Sequence, residues 1–105
     1  MNAIVVLTTT ETFAQAEKIA EALIAGKLAA CVQILPPMTS VYRWQGQIEK
    51  ATENLLLIKT LRDKYAQVEA TIKANHSYQI PEIIALPITA GAADYLDWLT
   101  QTVES

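Results

Sequence analysis

The chain has few of the residues that mark specialised protein classes: its 105 residues include one cysteine, one histidine, three glycines and four prolines. A single cysteine cannot form an intrachain disulfide, which excludes the disulfide framework of small secreted domains. The lysines and arginines form no cluster and the net charge is −3, so nucleic-acid binding has no support. No apolar run approaches the roughly 20 residues that a membrane-spanning helix needs.

The first residues, MNAIVVLTTTE, lack the basic start and the small-residue cleavage site of a secretory signal, so we expect a cytoplasmic protein. Hydrophobic residues make up 51% of the chain and charged residues 18%. This composition predicts one domain, residues 1–105, with a real core. It also predicts more apolar surface than a small monomer can bury, which favours association with other subunits.

The first third of the chain predicts a strand followed by a helix. Residues 3–9 are a β-branched run of strand length. Thr12 and Gln15 form the pattern of a capping box, and Gly26 is a residue that ends helices. The predicted apolar face of this helix contains Phe13, Ala16, Ile19, Ala20, Leu23 and Ile24.

Two adjacent prolines, residues 36–37, interrupt the next strand and place it at a sheet edge. We expect two arms, residues 29–35 and residues 38–44, and a hairpin turn at residues 45–46. Alternation in the second arm directs Ser40, Tyr42 and Trp44 to one face, and Val41 and Arg43 to the other.

The second half of the chain predicts a returning strand at 47–60 and a helix at about 62–75, with Tyr65, Val68 and Ile72 on one face. Prolines 81 and 87 bound an edge strand at 82–88. A last amphipathic helix at 91–103 is expected to direct Tyr95, Trp98 and Leu99 inward.

The element order β-α-β-β-α-β with an extra C-terminal helix predicts an α+β, ferredoxin-like fold with an antiparallel sheet. Right-handed crossovers place the first and third strands in the middle and the two proline-bearing strands at the edges. An exposed edge strand can pair with a strand of another subunit, and in a closed ring of subunits every such edge is paired. We therefore expect a homotrimer in which the hairpin at 38–50 reaches across a neighbour, rather than a monomer protected by its prolines.

Five segments in this order resemble the CutA family of divalent-cation tolerance proteins: LAACVQI, SVYRWQGQIE, ENLLLIKT, NHSYQIPEIIALPI and YLDWL. The resemblance covers nearly the whole chain. It implies a cytoplasmic homotrimer of ferredoxin-like protomers, similar in build to PII signalling proteins. It also implies a link to copper and other divalent cations, and a scaffold-like role rather than catalysis.

The resemblance implies metal ligands at a cysteine late in the first strand and at two adjacent histidines. Here Thr8 stands at the cysteine position, and Asn75 and His76 stand at the histidine pair. Only His76 matches, so we expect copper or another divalent cation to bind weakly, and we expect no other cofactor.

His76 is the candidate metal ligand, because imidazole binds Cu²⁺ and Zn²⁺ and Glu82 could add an oxygen. The favoured alternative is a structural histidine at a helix C-terminus whose ring bonds a neighbour. Cys31 could hold Cu(I) as a thiolate, but a buried free cysteine is more often a small hydrophobic residue.

Lys59 ends an apolar strand and needs a partner such as Glu49, Glu53 or Glu82. It could close a cleft between subunits and receive a small anionic ligand, or form an intersubunit salt bridge, which we favour. The aromatic residues could line a pocket between subunits or anchor cores and interfaces. They are Tyr42, Trp44, Tyr78, Tyr95 and Trp98.

The sequence contains no nucleophile elbow, P-loop, dinucleotide loop or HExxH motif, so we expect no enzymatic activity. We predict a protein of divalent-metal tolerance or sensing that binds a metal or a small ligand weakly at clefts between subunits. The alternative is a stable trimeric scaffold, or a PII-like signalling protein, that acts through a protein partner and has no metal site.

Overall fold

A computed structural model describes residues 2–104 as eight regular elements joined by short connections. A short 3₁₀ turn at Arg62–Lys64 precedes the second helix. The predicted order of helices and strands is confirmed, with the edge strand divided in two. The elements are β1 at Ala3–Thr10, α1 at Phe13–Ala25, β2 at Cys31–Ile34, β3 at Met38–Trp44, β4 at Gln47–Leu61, α2 at Tyr65–Ala74, β5 at Ile83–Pro87 and α3 at Ala93–Glu104.

The sheet has the order β2-β4-β1-β5, and every neighbouring pair is antiparallel. The first and third predicted strands therefore lie in the middle, and the proline-flanked strands lie at the edges, as expected. In the central pair Val6 lies opposite Ile58. The ferredoxin-like α+β class is confirmed.

The prolines at 36–37 separate β2 from β3, yet both strands pair with the 15-residue strand β4. The hairpin of β3 and the first part of β4, residues 38–53, extends beyond the helices and is called the arm. Its turn residues Gln45 and Gly46 have φ values of 50° and 80°. Positive φ at both positions is the pattern of a type I′ hairpin turn, which matches the twist of the strands.

Helix α1 begins as the capping pattern predicts, because the backbone N–H of Gln15 donates to Oγ1 of Thr12 at 3.1 Å. Its buried residues are Ala16, Ile19 and Leu23. Phe13 and Ile24, predicted on the same face, are exposed. The apolar stripe is wider than the face that the sheet can cover, so the residues at its margins remain outside the core.

One face of the sheet carries the main core. Even-numbered residues of β1 and β4, such as Ile4, Val6, Leu56 and Ile58, pack against α1 and α2. Alternation along each strand directs the odd-numbered residues to the opposite face. There α3 covers one end, where its buried residues Leu99 and Val103 pack on Ala3 and Leu61.

The rest of that second face, here called the open face, is exposed or half-buried in one chain. Ile84 and Leu86 on β5 are 48% and 49% exposed. The register of the strands shows that they share this face with four half-buried apolar residues and with three further side chains. These residues are Val5, Leu7, Leu55, Leu57, Cys31, Gln33 and Lys59.

Within residues 2–104, no helix has both the length and the apolar character needed to cross a membrane.

Candidate functional site

The candidate site is a cleft between the arm and the loop that joins α2 to β5, here called the arm–loop cleft. Its volume is about 660 Å³, which falls within the range of small-molecule sites. Thr9 at the end of β1 forms its floor, where the open face meets the arm. The lining residues are Thr9, Ser40, Val41, Tyr42, Trp44, Glu53, Ser77, Tyr78, Gln79, Ile80 and Glu82.

The arm supplies its side of the cleft through strand alternation. Tyr42 lies opposite Glu49 on β4, and Met38 lies opposite Glu53. Because directly paired residues share a face of the hairpin, the even-numbered residues of β3 lie on the same side as Glu53. The predicted grouping of Ser40, Tyr42 and Trp44 therefore builds one wall of the cleft.

The loop side is held by His76, just after α2. Its Nε2 atom lies 2.7 Å from the backbone oxygen of Thr9, and its Nδ1 atom accepts the backbone N–H of Tyr78 at 3.0 Å. Since Nδ1 is an acceptor, the bond at Nε2 requires the proton there. Both ring nitrogens of His76 thus bond the backbone. Contacts of this kind are what the structural alternative expects, whereas a role of His76 as a metal ligand stays a prediction.

Two further contacts stabilise the loop. Ser77 donates to Oε1 of Gln15 on α1 at 3.3 Å. The rings of His76 and Tyr78 lie with centroids 4.9 Å apart. The loop is therefore anchored to β1 and α1, although it has no regular secondary structure.

Tyr78 joins the loop to the arm, because its hydroxyl donates to Oε2 of Glu53 at 2.8 Å. Glu53 is only 7% exposed, so this carboxylate is held largely out of water. Burial raises the pKa of the Tyr78 phenol well above its ordinary value, and the hydrogen bond to Glu53 raises it further. Negative charge on Glu11 adds to the same shift. The phenol therefore remains a neutral donor across the physiological range.

Five of the residues predicted as cleft or interface residues lie together in this site: Tyr42, Trp44, Glu53, Tyr78 and Glu82. His76 lies behind them and holds the loop. The sequence did not single out Thr9, Gln79 or Ile80. No local signal could find them, because Thr9 at the end of β1 and Gln79 and Ile80 in the loop meet the arm only in the folded chain.

Cys31 and Lys59 lie away from the cleft, directly opposite each other on β2 and β4 of the open face. Lys59 donates to Oε1 of Gln33 at 2.6 Å. Within one chain Lys59 pairs with no glutamate, because the ion pair recorded among residues 2–104 joins Lys73 and Glu69. A salt bridge from Lys59 to another subunit stays a prediction. Cys31 is a half-buried free thiol.

Trp98 and Tyr95 do not face inward within one chain, which corrects the prediction for α3. Trp98 is 45% exposed, and its ring lies 5.6 Å from that of Tyr95. The helix packs on the sheet through Leu96, Leu99 and Val103 instead. Tyr95 and Trp98 lie next to Leu96 and Leu99 along the helix, so residue spacing alone could not show which of these side chains face the sheet.

A family model described as CutA1 divalent ion tolerance protein matches residues 4–102 of the chain. The chain belongs to the CutA1 family.

Individual CutA proteins agree with the family match. The divalent-cation tolerance protein CutA of Thermus thermophilus is 47% identical over 97 residues, which are 92% of this chain and 94% of that protein. The solved structure of Cut A1 from Thermus thermophilus aligns with a TM-score of 0.93 at 46% identity, covering 95% of this chain and 97% of that one. CutA1 from Oryza sativa aligns with a TM-score of 0.93 at 41% identity, covering 97% and 94%. The resemblance inferred from the motifs is confirmed, and the family is described by ion tolerance rather than by a reaction.

The donor set of this CutA1 chain does not fit a tight transition-metal centre. Across residues 2–104, no three His, Cys, Asp or Glu side chains lie close enough to share a metal ion. Thr8 is buried on the core face of β1, and both ring nitrogens of His76 are already engaged. A metal ion that used His76 would have to displace Thr9 or the backbone of Tyr78 from the ring.

Proposed function

We propose that this CutA1 protein serves divalent-cation tolerance as a cytoplasmic, non-enzymatic homotrimer, and that its working site is the arm–loop cleft at the seams between subunits. The family match supports the connection to divalent cations. The architecture of the cleft supports ligand binding, since Thr9, the arm and the loop line a volume suited to a small ligand.

The main observation that supports a trimer is the exposed apolar surface of the open face. It presents Val5, Leu7, Leu55, Leu57, Ile84 and Leu86 on the side of the sheet that α1 and α2 leave uncovered. A contiguous apolar sheet face of this kind favours contact with another protein surface. Copies of the same chain are the partner we propose, because a closed ring covers the open face of every subunit at once.

We propose weak binding of copper or another divalent cation at the cleft. Glu53 and Glu82 offer carboxylate oxygens there, and His76 could join them only by breaking one of its two backbone hydrogen bonds. Each broken bond leaves a polar group unsatisfied, at a cost of about 1–3 kcal/mol that reduces the affinity. A role in tolerance would then require a cation concentration high enough to occupy this weak site.

Calorimetric titration with Cu²⁺ and Zn²⁺ tests this proposal. We expect saturable heat that needs a large excess of cation over protein, with less heat in Glu82→Gln. Glu17→Gln, on the exposed face of α1 outside the cleft, controls for the loss of one surface charge and should match the unmodified protein. Flat traces for every protein would contradict cation binding at this site.

A scaffold or PII-like protein without a metal site is the second candidate, and the doubly bonded ring of His76 favours it. The titration separates the two candidates through His76→Ala. If the protein has no metal site, the cation traces of the unmodified protein and of this variant are both flat, and the variant only melts at a lower temperature because the loop loses two backbone hydrogen bonds. If the ring is a ligand, the heat falls more than in Glu82→Gln.

We propose a cytoplasmic location, which the single cysteine, Cys31, supports because a free thiol suits a reducing compartment. Cell fractionation followed by immunoblotting tests the assignment. The protein should fractionate with a cytoplasmic marker enzyme, and recovery with a periplasmic marker would overturn it.

A further inference from the structure

The chemistry of the arm–loop cleft is aromatic and acidic. Tyr42, Trp44 and Tyr78 contribute rings, and Glu53 and Glu82 contribute carboxylates. The lining contains no lysine, arginine or histidine. A small anion, one of the two ligand classes expected from the sequence, would therefore meet two negative charges and no counter-charge. The charge of the cleft favours a cation instead.

Glu53 strengthens this preference, because a buried carboxylate needs compensation. It is 7% exposed, and the donor that reaches it is the neutral hydroxyl of Tyr78. Across residues 2–104 the structure records one ion pair, between Lys73 and Glu69 on α2, so no cation of the described chain neutralises Glu53. Burying a charge without an opposite charge is costly, and a bound cation would offset that cost.

The arm adds a second, independent attraction. Tyr42 and Trp44 lie two residues apart on β3, so both rings project from the same face of the arm toward the cleft. The faces of tyrosine and tryptophan rings attract cations through their quadrupoles. Ile80 completes the lining with apolar surface suited to alkyl groups.

We propose that the arm–loop cleft binds a small organic cation of the ammonium class, held between the rings of Tyr42 and Trp44 and the carboxylates of Glu53 and Glu82. This inference rests on the proposed function, in which the cleft is the working site. An ammonium group needs no coordination geometry, whereas a metal ion needs several donors at short fixed distances. The cleft supplies diffuse negative charge and apolar contact, which suit an ammonium group well and hold a metal ion only weakly, as proposed above.

Choline and 3,3-dimethylbutan-1-ol form the decisive pair of probes, because the second molecule has the shape of choline with a carbon in place of the charged nitrogen. The protein has two tryptophans. Trp98→Phe, outside the cleft, leaves Trp44 as the only fluorescent indole. We expect choline to change this fluorescence saturably, and its neutral isostere to bind at least about tenfold more weakly.

Variants then assign the contacts. Tyr42→Leu, made in the Trp98→Phe background, should weaken choline binding roughly three- to fivefold through the lost ring face. Glu82→Gln should weaken it roughly two- to fivefold, as expected of a partly exposed charge. Glu53→Gln should weaken it further, and its melting curve shows whether it folds. Glu17→Gln is the matched charge control and should bind choline like the parent protein.

Equal binding of choline and its isostere would overturn the inference, because the cleft would then be merely apolar. Binding of a small anion such as citrate in place of choline would overturn it as well. Absence of choline binding in a protein whose mass is that of three chains would reject the ligand class while leaving the proposed trimer intact. A mass of one chain would reject the proposed trimer without reference to any probe.

Discussion

The hydrogen bond between the side chains of Tyr78 and Glu53 connects the two sides of the arm–loop cleft. It spans 25 residues of sequence and joins the loop to the arm at 2.8 Å. Removal of the hydroxyl leaves a largely buried carboxylate without this donor. Side chains so far apart in sequence are paired only by the fold, which is why the sequence predicted both residues as candidates but did not predict their contact.

Tyr78→Phe should lower the free energy of unfolding by roughly 1–2 kcal/mol at neutral pH, because it removes a hydrogen bond to a charged group. The raised pKa of Tyr78 means that its stabilising contribution is present in full below about pH 10 and is lost as the pH rises above that value. Urea unfolding at neutral and alkaline pH measures both effects. The difference between the two proteins should shrink with alkalinity, whereas a constant difference would contradict this assignment.

Tyr95→Phe is the matched control for that experiment. Tyr95 lies on α3, near the opposite end of β1, and its ring is exposed. The substitution should change the free energy of unfolding by less than about 0.5 kcal/mol at either pH.

Thr8 carries an unsatisfied hydroxyl in the core. Its hydroxyl is fully buried and has no hydrogen-bond partner among the residues that the structure describes. Thr8→Val keeps the shape and removes the unsatisfied group, so we expect a gain of about 1 kcal/mol in the free energy of unfolding. Thermal or urea denaturation measures the change.

Thr10→Val supplies the reciprocal test on the same strand face. Thr10 is equally buried, but its hydroxyl donates to the backbone oxygen of Thr12 at 2.8 Å. This variant should lose roughly 1 kcal/mol rather than gain it. Equal effects of the two substitutions would show that the hydroxyl of Thr8 is not the cause.

At the scale of elements, strand and helix positions followed closely from the sequence. The prolines correctly marked both edges of the sheet, and β2 forms backbone bonds beyond its formal ends, with Ala30 bonding Lys59 and Leu35 bonding Leu55. The prolines are local features of the sequence, so they could be interpreted without knowledge of the packing. The burial of α3 was less predictable, because Tyr95, Trp98 and Leu99 all fit a helical stripe and only packing on the sheet selects among them.

The arm depends on its turn. Gly46 has a φ of 80° and no neighbouring atom within 4 Å of the position that a Cβ would occupy. The cost of Gly46→Ala is therefore conformational rather than steric, and we expect a loss of about 1 kcal/mol in arm stability. Hydrogen exchange of the arm amides measures it directly.

Gln45→Asn is the companion change at the turn. Gln45 has a φ of 50°, and asparagine is preferred at this position of type I′ turns. Arm amides should exchange more slowly in this variant and faster in Gly46→Ala. Unchanged exchange in both would mean that the turn does not limit the stability of the arm.

For the whole molecule, the arm–loop cleft and the open face are continuous, since Thr9 lines the first and adjoins the second on β1. The sequence predicted surplus apolar surface from composition alone, and the strand register now assigns it to one face. The cleft itself was not predictable as a unit. It forms only when β3, the end of β1 and the loop after α2 come together.

Leu86→Glu tests the role of the open face. Leu86 is 49% exposed in one chain, so the charge is tolerated by a monomer but is costly inside an apolar contact between copies. We expect the variant to dissociate to smaller species while keeping the circular dichroism of the folded chain. Leu86→Met, which conserves volume and apolar character, should assemble like the unmodified protein.

The central claim is that the uncovered sheet face brings copies of the chain together and so places the arm–loop cleft at a seam. Sedimentation equilibrium of the unmodified protein, over a range of concentrations, tests this most directly. The account predicts a mass of three chains throughout the range. A mass of one chain, with the open face left in water, would contradict it.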